Sequence, residues 1–195
     1  MITNNRQYRN FDFETKEMRV EGQAVTFENP TLMFEVDGMQ FYEVISRSAF
    51  EEAKIDDVVL VIDHKGKPAA KTKNGTLELK ANESGLFISA DLSRNATGRE
   101  LHEDIENGFY DKMSFAFTIS SESYDKKTRT RRIEKIDRLY DVSAVTFPAY
   151  EQTSINARSF FEEESAKELQ ELMEIRERQD KIRRIKMKLE TGGLK

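Results

Sequence analysis

From Asp111 to Ile119 the sequence alternates without a break, and a β-strand is the one regular structure that suits it. Met113, Phe115, Phe117 and Ile119 fall on one face of such a strand, and Ser114, Ala116 and Thr118 on the other. A sheet must therefore run through the middle of this chain. The strand also offers a chemical opportunity, because a hydroxyl with small neighbours opposite an apolar face is held on a rigid backbone. By itself Ser114 is equally the polar residue of an ordinary half-buried strand. Its interest depends on two other residues, His64 upstream and Asp141 downstream.

Other segments repeat the β signal. Met18–Phe27 reads as a strand with Gly22 and Ala24 allowing a bend or close packing, and Pro30 ends it. Leu32–Val36 and Met39–Ile45 flank Asp37-Gly38, a strong hairpin signal. Val58–Ile62 is a continuous run of branched residues, the pattern of a buried strand, and it stops abruptly at Asp63-His64-Lys65-Gly66-Lys67-Pro68. Asn74-Gly75 reads as a second hairpin turn before Thr76–Lys80, and Gly85–Ala90 as a further strand. Arg131–Ile136 reads as a charged, exposed strand, and Leu139–Phe147 as the last strand, ended by Pro148. Residues 1–17 read as a loose arm or edge strand.

Helical signals are few. Ser48-Ala49-Phe50-Glu51 and Thr97-Gly98-Arg99-Glu100 both have capping-box spacing. In the second helix Leu101 and Ile105 lie on the inner face, His102 reads as a rim residue, and Gly108 supplies the stop. Many short strands and two short helices predict a mostly β protein with some α, built as an antiparallel β-barrel edged by short helices.

Near Ser154 the composition changes, and from Phe160 onward the chain reads as helix, closing with Gly192-Gly193. Acids lead (Glu162, Glu163, Glu164, Glu168, Glu171, Glu174) and bases follow (Lys181, Arg183, Arg184, Lys186, Lys188), an order that suits the helix dipole. Ile175, Ile182 and Leu189 recur every seven residues, while Leu172, Gln179 and Lys186 occupy the complementary positions. So thin a seam fits a weak coiled coil, a partner-docking helix or a solvated helix. We accordingly divide the chain into a β domain, residues 1–157, and a charged helical tail, residues 158–195.

Composition narrows the chemistry. The net charge of −5 argues against binding nucleic acid through a general positive field. The absence of Cys excludes thiolate metal sites and cysteine nucleophiles, and two His are too few for a histidine-rich metal centre, so neither cofactor nor metal is expected. No apolar stretch is long enough to span a bilayer, and Met1-Ile2-Thr3-Asn4-Asn5-Arg6 lacks the apolar core of a signal peptide, which predicts a soluble protein used inside a cell, with no membrane partner.

Asp141 is the outstanding oddity, a carboxylate inside the apolar run Leu139–Phe147. Burying it costs several kcal/mol, on the order of what a buried charge demands, unless a cation or hydrogen-bond donor meets it. Histidine would serve. A serine, a histidine and a carboxylate together meet the needs of acyl transfer: a hydroxyl nucleophile, a base that works near neutrality, and an acid that fixes the imidazole tautomer.

Taken in order, Glu21-Gly22-Gln23-Ala24, Glu43-Val44-Ile45, Ser48-Ala49-Phe50, Asp63-His64, Asn74-Gly75-Thr76-Leu77, Gly85-Leu86, Met113-Ser114-Phe115-Ala116-Phe117 and Asp141-Val142-Ser143 through Phe147-Pro148-Ala149-Tyr150 resemble the tailed-phage prohead protease family, over roughly residues 18–157. These are serine peptidases related in fold to the herpesvirus capsid maturation protease. The resemblance implies an antiparallel β-barrel and an endopeptidase working inside the immature capsid, in the host cytoplasm. Its substrates would be scaffolding protein or the scaffold-like segment of the major capsid protein, and then itself. A homo-oligomer is compatible with this. Position by position, Ser114 matches the nucleophile, His64 the general base and Asp141 the acidic third member, which is often Glu in relatives. The herpesvirus enzymes use a second histidine as third member; His102, ahead of the serine and on a helix, ranks below Asp141. Backbone N–H groups of Ala149-Tyr150-Glu151-Gln152 are candidates for the oxyanion hole. The tail lies outside the resemblance and reads as a scaffold-docking or self-cleaved extension. The rival reading is a catalytically silent β-barrel, an assembly factor whose tail docks on scaffold or capsid.

Overall fold

A computed structural model describes residues 10–146 and 155–192. Ten strands and two α-helices follow one another as β1 (Asn10–Lys16), β2 (Arg19–Thr26), β3 (Thr31–Val36), β4 (Met39–Ile45), β5 (Val59–Ile62), β6 (Lys65–Lys71), β7 (Leu77–Ala81), β8 (Gly85–Asp91), α1 (Ala96–Glu106), β9 (Lys112–Asp125), β10 (Thr130–Val145) and α2 (Ile155–Gly192). Short 3-10 turns cover Arg47–Phe50 and Thr72–Asn74. The described residues are thus mostly β with two helices.

Strands pair in the order β3-β4-β10-β9-β1-β2-β8-β7, with β5 branching from β10 and β6 from β5. The path is open at β3 and β7, so the closed barrel expected from the sequence is not found among the described strands. Nor is the sheet wholly antiparallel. Two neighbours run parallel to β10: β4 along Thr130–Ile133 and β5 along Asp141–Ala144. One strand long enough to pair with two partners in succession makes this possible.

That length is the largest departure from the sequence reading, which splits β10 in two. The ladder between β9 and β10 shifts register at four places between Ile133 and Asp141. Each extra residue in a bulge breaks the period of two. Ile133, Ile136, Leu139 and Val142 are all buried yet recur every third residue, and an alternation test sees no continuous strand there.

Within the segment Arg131–Ile136 only Lys135 is exposed; Arg131, Ile133 and Ile136 are buried. Arg131 retains 5% of its surface and pairs with Glu43 (3.5 Å, 2% exposed) and with Glu122 (2.5 Å). Arg131→Met should therefore destabilise by about 3–5 kcal/mol in urea unfolding, because Glu43 and Glu122 lose the guanidinium that faces them. Converting Glu43 to Leu as well should recover most of that loss.

Other local expectations shift for identifiable reasons. β1, read as an arm or edge, is interior to the pairing order, between β9 and β2. Asp37 and Gly38 both have positive φ (51° and 75°), as a two-residue hairpin between β3 and β4 requires. Asn74-Gly75 joins no hairpin: it closes a 3-10 turn between β6 and β7, which pair with β5 and β8 instead. α1 is capped by Asn95, whose side chain accepts from Gly98 N (2.7 Å), and not by Thr97. The Asn95 amide also donates to Ala69 O at 3.0 Å, fastening the helix start to β6. Around Ser48 there is only the 3-10 turn, preceded by Ser46 and lacking a side-chain cap.

One apolar cluster unites the β domain, drawing on Val20, Leu60, Leu86, Leu101, Met113, Phe115, Phe117, Val142 and Ala144 among others. Phe115 and Phe117 stack at its centre, 5.0 Å apart. The other face of β9 is covered too: Ser114 is 2% exposed and Ala116 fully buried. A nucleophile candidate on a doubly buried strand is held far more rigidly than a residue on a solvated sheet face.

Compact units divide between Arg158 and Ser159. Within the second, Leu172, Met173, Ile175, Ile182, Ile185 and Met187 are all exposed. Among the described residues no helix is long and apolar enough to cross a membrane.

Candidate active site

Ile62 at the end of β5 pairs with Lys65 at the start of β6, so Asp63 and His64 are the two central residues of a tight hairpin. Their φ angles, 47° and 57°, are those of a type I′ turn, which glycine, asparagine and aspartate usually fill. The sequence conceals this hairpin. Gly66 and Pro68 interrupt β6 and read as loop, although Pro is tolerated on a strand paired on one side only, as β6 is.

The turn lies over β10 because β5 runs parallel to it, and Asp63 N donates to Ala144 O at 2.9 Å. Across the sheet, Ser143 on β10 faces Ser114 on β9, and Asp141 faces Ala116. Residues directly opposite share a face. Ser114, Asp141 and Ser143 are thus presented together, with the small Ala116 beside the carboxylate, and His64 descends onto them from the turn.

The three residues singled out in the sequence meet. His64 Nε2 is 3.0 Å from Ser114 Oγ, and His64 Nδ1 is 2.5 Å from Asp141 Oδ1. Asp141 is 6% exposed, while the His64 side chain keeps 19% of its surface. An ionised carboxylate can only accept, so Nδ1 carries the imidazole proton and Nε2 is left as the acceptor for the serine hydroxyl. The buried acid finds its donor, and the base is oriented by the same bond.

Sequence reasoning missed a fourth group. Ser143 Oγ lies 2.9 Å from Asp141 Oδ1, 3.0 Å from His64 Nδ1 and 3.2 Å from the backbone N of His64. Ser143 belongs to the run that carries Asp141, and its place two residues on, hence on the same face, was the available signal.

His102 lies elsewhere. It is 5% exposed on α1, with Nδ1 3.4 Å from Glu106 Oε2 and Nε2 without a hydrogen-bond partner. Placing it on the rim is incorrect, because Gly98, Leu101, His102 and Ile105 form one buried stripe at helical spacing. The loop Ala149–Gln152 lies outside the described residues.

Charges around the hairpin are fixed at both ends. At its far end Lys71 and Lys73 donate to Asp57 and hold that carboxyl down at about 2. Near the turn, burial and the Asp63 and Asp104 carboxylates push the Tyr110 phenol up, which keeps it neutral.

Known proteins resemble the chain over most of its length. The family described as caudovirus prohead serine protease matches residues 5–169, a wider span than the 18–157 of the sequence resemblance. The prohead protease of Enterobacteria phage HK97 is 28% identical over 153 residues, which are 75% of this chain and 63% of that protein. The chain therefore spans less than two thirds of the length of that relative. No solved structure matches this chain. A family match that takes in both strands of the sheet's spine and the hairpin carrying His64 leaves one conclusion: the chain belongs to the caudovirus prohead serine protease family.

Proposed function

We propose that this protein is a serine endopeptidase of capsid maturation. The observation that carries the proposal is the continuous hydrogen-bonded path from Ser114 Oγ through His64 to Asp141. In this mechanism His64 Nε2 takes the hydroxyl proton as Ser114 Oγ attacks the scissile carbonyl, and Asp141 stabilises the imidazolium that forms. The imidazolium then protonates the leaving amine. Water, deprotonated by the same histidine, hydrolyses the acyl-enzyme and frees Ser114.

The substrates we assign are the scaffolding protein or the scaffold-like segment of the major capsid protein, inside the immature capsid in the host cytoplasm, and after them the protease itself. Support comes from family membership and from the named role of the HK97 relative. Co-expression with the capsid and scaffolding proteins, followed by mass spectrometry of the products, tests this. Shortened products absent with Ser114→Ala support the reading; full-length proteins throughout favour the silent assembly factor. For the fold, we propose that the open pairing path curls into the barrel of the family, since β2, β5, β8, β9 and β10 all feed one core.

The tail, residues 158–195, we assign to delivery, as a scaffold-docking or self-cleaved extension. Its exposed Leu172, Ile175 and Ile182 support a docking face. A chain ending at Ser159 gives up the fully buried Phe161, so it should melt somewhat lower, yet remain folded by circular dichroism, cleave a peptide substrate and be packaged poorly into proheads. Unfolding, or loss of peptide cleavage, would place the tail within the catalytic unit.

A further inference from the structure

We infer that Ser143 is a positioning residue of the active site, holding the base and the acid in register through one buried hydroxyl. This rests on the protease reading above, and it assigns a role to a residue outside the Ser114, His64 and Asp141 set.

Valence fixes what the hydroxyl does. A serine has one O–H to donate and two lone pairs that accept. Asp141 Oδ1, 2.9 Å away, is an acceptor and takes the hydroxyl hydrogen. The backbone N–H of His64, 3.2 Å away, can only donate and takes one lone pair. The second lone pair faces His64 Nδ1–H at 3.0 Å, so that proton is shared between Asp141 and Ser143. All the hydrogen-bonding capacity of Ser143 is directed at the catalytic pair. The residue is fully buried, so water has no ready access to replace these bonds.

Two features of His64 make such a group necessary. It occupies a tight turn at φ 57°, outside the strand ladders that fix the backbones of Ser114 and Asp141. Its ring also keeps more surface than either partner, and its ring contacts to Asp141 and Ser114 are both made through side chains. Ser143 gives the base a second anchor through its backbone and a second acceptor for Nδ1–H. As the proton moves to Nε2, the imidazolium meets an oriented dipole as well as a carboxylate, which is electrostatic preorganisation of the base.

The readout is labelling by a fluorophosphonate probe, in which Ser114 Oγ bonds to phosphorus, fluoride leaves and His64 takes the proton, run beside peptide-cleavage kinetics. In the full chain, Ser143→Ala should lower kcat and the labelling rate about 10- to 100-fold, with KM within about twofold, as expected from a misplaced base. Ser143→Thr, which restores the hydroxyl, should recover most of the labelling rate. Ser143→Cys keeps the volume with a weak hydrogen-bonding group and should fall between Ala and wild type. It is also the deciding variant if Ala does not fold. A folded Ala or Cys variant that labels at the wild-type rate overturns the assignment, as does a Thr variant no faster than Ala. A wild-type protein that neither labels nor cleaves, or a Ser114→Ala variant that labels, overturns the protease reading itself.

Discussion

Ser114→Ala should abolish capsid-protein cleavage while leaving the fold unchanged. Removing a serine nucleophile costs on the order of 10^6-fold in kcat, and what survives comes from substrate binding and oxyanion stabilisation. The structural cost is small. Ser114 lies opposite Ser143, on the face of β9 away from Phe115 and Phe117, so losing one oxygen opens no cavity in the aromatic core. The hydrogen bond to His64 Nε2 is lost, but that nitrogen is on the part-exposed ring and can turn to water. Melting temperatures of the two proteins should therefore agree within a few degrees, with product formation lost in the variant alone. Processing at the wild-type rate by purified Ser114→Ala would mean that another hydroxyl carries out the attack.

Much of this site was legible in the sequence because its residues violate local rules. Asp141 is an acid in an apolar run, and His64 is an imidazole at the end of a buried strand. The buried acid called for a donor and histidine suited it, while the resemblance to the prohead protease family matched Ser114, His64 and Asp141 to their roles. Hidden from that reading was everything set by pairing between distant segments. β6 was missed because Gly66 and Pro68 look like loop, and only pairing with β5 makes them strand. β10 looked like two strands because its bulges convert a period of two into a period of three. Ser143 was quoted only as part of a motif, since a serine in a strand carries no signal until its neighbours across the sheet and in the turn are known. His102 is different in kind: its burial was readable from the spacing of Gly98, Leu101 and Ile105, and the rim assignment ignored that stripe.

Asp141→Asn should keep the fold and lower turnover about 10^4-fold. An amide can present its NH2 to Nδ1, which then serves as acceptor and sends the imidazole proton to Nε2, where it can no longer receive the one from Ser114. His64 Nδ1 and the Ser143 hydroxyl face the same Oδ1, so an NH2 placed there obliges Ser143 to accept where it donated before. The fold survives since an uncharged, similarly shaped group replaces a carboxylate that is 6% exposed. Asp141→Glu should fall between Asn and wild type. Asp141 Oδ1 is already 2.5 Å from Nδ1, so the added methylene must be taken up on the side of Ala116, the small residue opposite. His102→Ala provides the contrast. Its ring is buried and its loss should cost stability, yet its Nε2 has no hydrogen-bond partner and its Nδ1 faces Glu106, so kcat of the folded variant should stay within a fewfold of wild type. Measured together at one pH, the three variants separate two designs. A folded but inactive His102→Ala beside an active Asp141→Asn would assign the third position to histidine and remove Asp141 from the machinery.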